Sequence, residues 1–194
     1  MPKVSAIIPA AGLSSRMGGP NKLLALYRDQ RTVVGSVVGV LLNCNLNVMV
    51  VTGRDADEVA KAVSPAKTVF NPHFEDGLGS SIAVGVRACE ESDGYLIALG
   101  DMPGIHPALI SELISKLEPT SIVVPIAGNG MFGHPVLFGS EYRNDLEKLG
   151  GDTGGKPILL AHQDKIIRIP VKKHLIDLDS KEDFARDSNV TTMS

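Results

Sequence analysis

The chain has 194 residues, of which 43% are hydrophobic and 21% charged, values that suit a globular chain with a sizeable core. A formal net charge of -3 gives no bulk attraction for nucleic acid or an anionic membrane, and 4% aromatic residues with no tryptophan argue against a base-stacking platform. Cys44 and Cys89 form neither a disulfide framework nor a metal-type pair, which fits a reducing cytoplasm.

Short apolar runs alternate with helical patterns. Val4–Pro9 reads as a buried strand, and its apolar stretch ends at Gly12, too soon for a signal peptide or a membrane span. Residues 32–42 carry a helical pattern, 48–51 a second strand, 55–63 a helix and Lys67–Phe70 a weaker strand. Residues 79–91 read as a helix that Ser80 or Ser81 would cap. Residues 95–99 form a fourth strand. Over 106–117, Leu109, Ile110, Leu113, Ile114 and Leu117 share one helical face, and Pro107 suits the first turn. Ile122–Ile126 is a fifth strand. This βαβαβαβαβ order predicts a three-layer, Rossmann-like α/β fold with a mostly parallel sheet.

The pattern changes after about residue 127. Glycines 128, 130 and 133 bracket a loop before a strand at 134–138, and a second glycine cluster covers 150–155. Strands follow at 166–171 and 175–178, and a last helix starts at Ser180. The expectation is one domain: a first part over 1–126, an elaboration over 127–187 and a polar tail over 188–194.

Directly after the first strand comes Pro9-Ala10-Ala11-Gly12-Leu13-Ser14-Ser15-Arg16-Met17-Gly18-Gly19-Pro20-Asn21-Lys22. Small residues at a strand's carboxyl end let the backbone approach a ligand, and turning N–H groups make a nest for phosphate oxygens. Arg16 and Lys22 add positive charge. The spacing is neither a Walker loop nor a dinucleotide fingerprint, and glycines used only for turns explain such a stretch as well. Leu99-Gly100-Asp101-Met102-Pro103 ends the fourth strand. A carboxylate there faces the ligand crevice and suits Mg²⁺, which takes one or two carboxylates plus substrate phosphates. Asp101 equally suits a turn aspartate.

Three further segments carry chemistry-bearing residues. Asn71-Pro72-His73-Phe74-Glu75-Asp76-Gly77-Leu78-Gly79-Ser80-Ser81 leads into a helix. Gly133-His134-Pro135 opens a strand, and Gly151-Asp152-Thr153-Gly154-Gly155-Lys156 can offer backbone N–H groups and a cation to a phosphate. In Asp177-Leu178-Asp179, alternation puts both carboxylates on one strand face.

The string from Ala10 to Lys22, with Gly100-Asp101-Met102-Pro103, the 71–81 segment, Gly-His-Pro, the Gly-Asp-Thr-Gly-Gly-Lys run and Asp-Leu-Asp, resembles the MobA-like nucleotidyltransferases over nearly the whole chain. Ala10-Ala11-Gly12 is similar to the branch that uses CTP, the molybdenum cofactor cytidylyltransferases; the GTP-using branch usually has glycine where Ala11 stands. Pro9 departs from the family's common leucine. The resemblance implies that Ala10, Ala11, Gly12 and Leu13 meet the nucleotide and that Arg16 and Lys22 hold its phosphates. Asn71, Gly79, Ser80, Ser81 and Gly100 complete the nucleotide site. Asp101 would hold Mg²⁺, with Asp177 or Asp179 as a second ligand. His134, Asp152, Gly154, Gly155 and Lys156 would bind the acceptor, and Lys22, Asp101 and Arg16 would carry catalysis.

The implied reaction transfers CMP from CTP to the molybdenum-bearing molybdopterin cofactor and releases pyrophosphate. It needs no protein nucleophile, nucleic acid or membrane. It does imply a molybdoenzyme or its chaperone as the recipient of the product. A GTP-using guanylyltransferase, a sugar- or polyol-phosphate nucleotidyltransferase and a non-catalytic pterin carrier remain open alternatives.

Overall fold

The apolar runs become strands because they are closed on both faces. A computed structural model describes residues 2–12, 21–27, 30–127 and 130–171. In chain order these form β1 (Val4–Pro9), α1 (Val33–Asn43), β2 (Asn47–Thr52), α2 (Ala56–Val63), β3 (Lys67–Phe70), α3 (Leu78–Ala88), β4 (Gly94–Ile97), α4 (Pro107–Ser115), β5 (Ile122–Ile126), β6 (Val136–Gly139), α5 (Arg143–Leu146), α6 (Lys156–Ala161) and β7 (Ile166–Pro170). The strands make one seven-stranded sheet in the order β3-β2-β1-β4-β6-β5-β7. Every pairing is parallel except those of β6, which runs antiparallel to β4 and β5.

Alternation along the strands sends side chains to two separate cores. Ala6 and Ile8 of β1 pack with Val34, Val37 and Leu41 of α1, Val59 of α2 and Ile110 of α4. Ile7, between them, packs on the other face with Ile82 and Val86 of α3, Leu146 of α5 and Ile158 of α6. The result is the expected three-layer α/β architecture. Each fully buried Ile, Leu or Val contributes about 1.5–3 kcal/mol relative to exposure, and Ile7, Ile8, Leu41, Ile82 and Leu96 are all in that condition.

Two features of the topology locate a ligand crevice. The chain leaves β1 through α1 toward β2, whereas β3 leads through α3 back to β4 on the opposite side of β1. β1 and β4 therefore flank the point where strand order reverses, and ligands in open α/β sheets bind beyond the carboxyl ends at such a point. The antiparallel β6 pairs Val136 with Ile97 and Leu137 with Leu96. The residues before β6 consequently arrive at the same edge as the residues after β4.

Several boundaries differ from the sequence reading. The helix expected over 79–91 is Leu78–Ala88, and neither Ser80 nor Ser81 caps it. Gly77 stands at its N-cap without a side-chain bond, while both serine hydroxyls turn to Asn71 and the preceding loop. The fourth strand stops at Ile97 instead of residue 99, although the Ala98 N–H still donates to the Ile7 carbonyl at 3.0 Å. The strand expected from 134 begins at Val136, because Pro135 has no N–H for the ladder. The helices α5 and α6 fall where the sequence shows only short, mixed patterns. The strand expected at 175–178 and the helix from Ser180 lie outside the described residues. Among the described residues no helix is long and apolar enough to cross a membrane.

Candidate active site

The carboxyl edge beyond β1 and β4 brings together Ala10, Ala11, Gly12, Lys22, Gly100, Asp101 and His134. Ala10 and Ala11 follow β1 and are buried, and the Ala10 N–H donates to the Val51 carbonyl at 2.8 Å, holding the chain against β2. A methyl group at Gly53, just after β2, would lie 2.8 Å from Ala11 Cβ and 2.6 Å from the Phe74 ring. That close fit ties the start of the glycine loop to the 71–81 segment. Gly12 is exposed, and among the described residues nothing lies within 4 Å of where a methyl group on it would stand.

Lys22 and Asp101 meet at this edge. Lys22 Nζ lies 2.7 Å from Asp101 Oδ2, and their side chains are 19% and 21% exposed. The approach is built by the backbone on both sides. Asn21, 5% exposed, accepts from the Leu23 N–H through Oδ1 at 3.1 Å and starts the 3₁₀ turn Lys22–Leu24. Its Nδ2 donates to Asp55 Oδ2 at 3.1 Å, which also accepts from Arg54 Nε at 3.2 Å. Asp55 itself sits at a left-handed φ of 59° before α2. Opposite, a methyl group at Gly100 would lie 3.5 Å from both the Leu23 side chain and the Pro9 carbonyl oxygen. The Asn21–Asp55–Arg54 network was not anticipated from sequence. Its one signal was the polar Asn21 directly before Lys22.

His134 reaches the same edge from β6. It is half-buried, and its Nδ1 is closed off from solvent without a hydrogen-bond partner among the described residues. Burial pushes its pKa below the ordinary imidazole value; a hydrogen bond to the Ile97 backbone and the negative charge of Asp101 oppose the shift without overcoming it. His134 is thus a neutral ring beside a carboxylate, suited to hydrogen bonding and poorly suited to supplying positive charge.

Asn71 is completely buried after β3. Its Nδ2 donates to Ser80 Oγ at 2.8 Å and Ser81 Oγ at 3.1 Å, its Oδ1 accepts from the His73 N–H at 2.9 Å, and Ser80 Oγ donates to the His73 carbonyl at 2.8 Å. In this arrangement Asn71 fixes the entry to α3.

The two glycine-rich segments touch. The Gly79 N–H donates to the Gly151 carbonyl at 2.8 Å, and a methyl group at Gly79 would come 2.5 Å from the Gly150 oxygen. Gly77, at φ 102°, faces the Asp152 carboxylate and the Gly151 backbone. Gly154 packs on Leu78, and Gly155 begins α6 ahead of Lys156. The residues assigned by resemblance to the base and ribose and those assigned to the acceptor therefore adjoin. Leu13, Arg16, Asp177 and Asp179 lie outside the described residues.

A metal fits the chemistry of this edge. Among the described residues no three His, Cys, Asp or Glu side chains gather into a cage. Mg²⁺ does not require one, since it binds through one or two carboxylates together with substrate phosphates and water. Asp101 supplies such a carboxylate.

A model of the MobA-like NTP transferase domain matches residues 6–166. The chain belongs to the MobA-like NTP transferase family. As a MobA-like protein it is a nucleotidyltransferase, and members of this family use a nucleoside triphosphate and typically a divalent metal. The molybdenum cofactor cytidylyltransferase of Escherichia coli is 27% identical over 187 residues, covering 95% of each chain. The nicotine blue oxidoreductase of Paenarthrobacter nicotinovorans is 26% identical and covers 100% of this chain and 94% of its own. Among solved structures, a Mycobacterium tuberculosis protein in complex with manganese superposes with a TM-score of 0.79 at 25% identity, covering 95% of this chain and 97% of its own.

Proposed function

We propose that this MobA-like nucleotidyltransferase moves CMP from CTP onto the phosphate of a molybdenum-bearing pterin cofactor, with pyrophosphate as the second product. The observation that carries the reading is the Lys22–Asp101 contact of 2.7 Å at the carboxyl edge between β1 and β4. A polyphosphate needs a cation and a metal needs a carboxylate, and both groups stand where the fold binds ligands.

In this reading an oxygen of the acceptor's terminal phosphate attacks the α-phosphorus of CTP. The bond from that phosphorus to the bridging oxygen breaks, and its electrons leave on pyrophosphate. Catalysis of this kind is mostly positioning and charge stabilisation. Asp101 would hold Mg²⁺, with Asp177 or Asp179 as a second ligand, and the ion supplies neutralisation of charge on the phosphates. Lys22 and Arg16 stabilise the departing pyrophosphate. Ala10, Ala11, Gly12, Leu13 and Gly100 line the nucleotide, with Gly79, Ser80 and Ser81 toward base and ribose. Asp152, Gly154, Gly155 and Lys156 receive the acceptor, and neutral His134 hydrogen-bonds it. Asn71 acts through Ser80 and Ser81.

CTP is favoured by Ala10-Ala11-Gly12 and by the likeness to the E. coli cytidylyltransferase. Action in the cytoplasm and delivery of the product to a molybdoenzyme or its chaperone belong to the same reading. The test offers each of the four ribonucleoside triphosphates with Mg²⁺ and the molybdenum pterin and follows pyrophosphate. Release with CTP alone supports the proposal. Release with GTP alone reassigns the nucleotide, and release only with a sugar phosphate reassigns the acceptor. The likeness to nicotine blue oxidoreductase favours a second reading, redox chemistry on this scaffold, which gains if no triphosphate yields pyrophosphate.

A further inference from the structure

We infer that Phe132 and Arg168 form a stacking platform for the flat ring system of the acceptor, a fused heteroaromatic of the pterin class. This rests on the proposed nucleotidyl-transfer reading and adds to it the place where the acceptor's ring lies. Phe132 is 45% exposed, and Arg168, also exposed, holds its guanidinium carbon 5.6 Å from the centre of the Phe132 ring. Among the described residues no carboxylate pairs with Arg168.

The backbone builds this pair. Between β5 and β6 the chain doubles back: the Ala127 N–H donates to the Met131 carbonyl at 3.0 Å, the Gly133 N–H donates to the Pro125 carbonyl at 2.7 Å, and Ile126 bridges Phe132 antiparallel. Arg168 comes from β7, on the other side of β5, where it pairs with Val124. Val124 belongs to the core under α3, α5 and α6, and strand alternation puts Ile126, Phe132 and Arg168 on that same face. Gly155, in the segment assigned to the acceptor, meets this face too, since a methyl group on it would lie 3.1 Å from the Phe138 ring.

Because β6 is antiparallel to both β4 and β5, those two strands point the same way, and the turn after β5 stands at the carboxyl edge. His134, which feels the charge of Asp101, is two residues from Phe132, at most about 7 Å along the chain. The edge therefore runs from Asp101 through His134 to Phe132. An acceptor whose phosphate reacts beside Asp101 and meets His134 extends its other end over Phe132. A fused heteroaromatic offers π faces that stack on a phenyl ring and on a guanidinium plane, and the cation suits a ligand that is anionic overall. A sugar phosphate has no such face, so the platform separates the two classes of acceptor.

The test uses the full chain with CTP, Mg²⁺ and the molybdenum pterin, and follows pyrophosphate. Phe132→Ala should raise KM for the pterin about five- to tenfold and Arg168→Gln about two- to fivefold, with kcat and KM for CTP unchanged. Phe132→Tyr, which keeps the ring, should keep the wild-type KM. A binding arm needs no turnover. The chain has no tryptophan, so Phe132→Trp supplies a single fluorescent reporter. The probe 6-hydroxymethylpterin should quench it saturably, and ribose 5-phosphate should not. Circular dichroism melts confirm folding of each variant, and the two arms use different substitutions should one fail to fold. An unchanged pterin KM in Phe132→Ala, or an equal rise in KM for CTP, overturns the platform and leaves nucleotidyl transfer standing. Saturable quenching with no turnover by the wild type supports the platform and overturns the transfer reading. Neither quenching nor turnover overturns both.

Discussion

Lys22 Nζ and Asp101 Oδ2 come within 2.7 Å although β2, β3 and β4 separate the two residues in sequence. The parallel sheet explains the meeting, because the carboxyl ends of β1 and β4 share one edge. Lys22→Ala and Asp101→Ala should each lower turnover by about 10²–10³-fold, the usual loss for removing an electrostatic stabiliser. Acting as one unit, the double variant should fall far short of the product of the single effects. Folding stability should move by only about 1 kcal/mol, since the pair is partly solvated. Steady-state rates and thermal melts of the three variants check this, and near-wild-type turnover in either single variant would remove the residue from catalysis.

His134 gives a pH signature in stability. Burial holds its folded pKa below the unfolded one, so between the two values the unfolded chain carries more protons. Stability should be complete above the ordinary imidazole value of about 6.5 and should fall as pH drops below it. His134→Gln should flatten that slope. Denaturant melts of metal-free protein between about pH 5 and 8 read the effect, and equal slopes for both proteins would contradict it.

Gly77 accepts no side chain. Its φ of 102° disfavours L-residues, and a methyl group there would sit 2.7 Å from the Gly151 carbonyl. Gly77→Ala should cost about 1–3 kcal/mol, by overpacking and backbone strain together. Urea denaturation measures the cost, and a neutral result would mean that the two glycine segments do not touch in solution.

Asn71 is the polar centre of the loop before α3. Asn71→Ala leaves the His73 N–H and two serine hydroxyls without that partner, which should cost about 1–3 kcal/mol. A binding role reached through Ser80 and Ser81 further predicts a raised KM for nucleotide. Unchanged stability would contradict the network.

The layer order was legible because continuous Val, Ile and Leu runs of strand length, spaced by helical patterns, have few other solutions. Asp101 was legible as a strand-end carboxylate, and Lys22 as a cation closing a glycine loop. Their direct contact was not, since pairing across parallel strands depends on strand order, which local pattern does not encode. The place of β6 escaped for the same reason: nothing in Val136–Gly139 says that it inserts antiparallel between β4 and β5. Serine before an apolar run predicts a cap at Ser80 or Ser81. Asn71, nine and ten residues earlier, claims both hydroxyls instead. The Asn21–Asp55 bond spans 34 residues, so the polar residue before Lys22 is its only local sign.

Nucleotidyl transfer to a pterin is tested most directly by following the label. CTP labelled at the α-phosphorus is incubated with the protein, Mg²⁺ and the molybdenum pterin, and the products are separated. The label should appear in a pterin–cytosine dinucleotide, with one pyrophosphate released per acceptor consumed, and both should vanish in Asp101→Ala. Label that remains in CTP, or that passes to CMP without joining the pterin, would contradict the account.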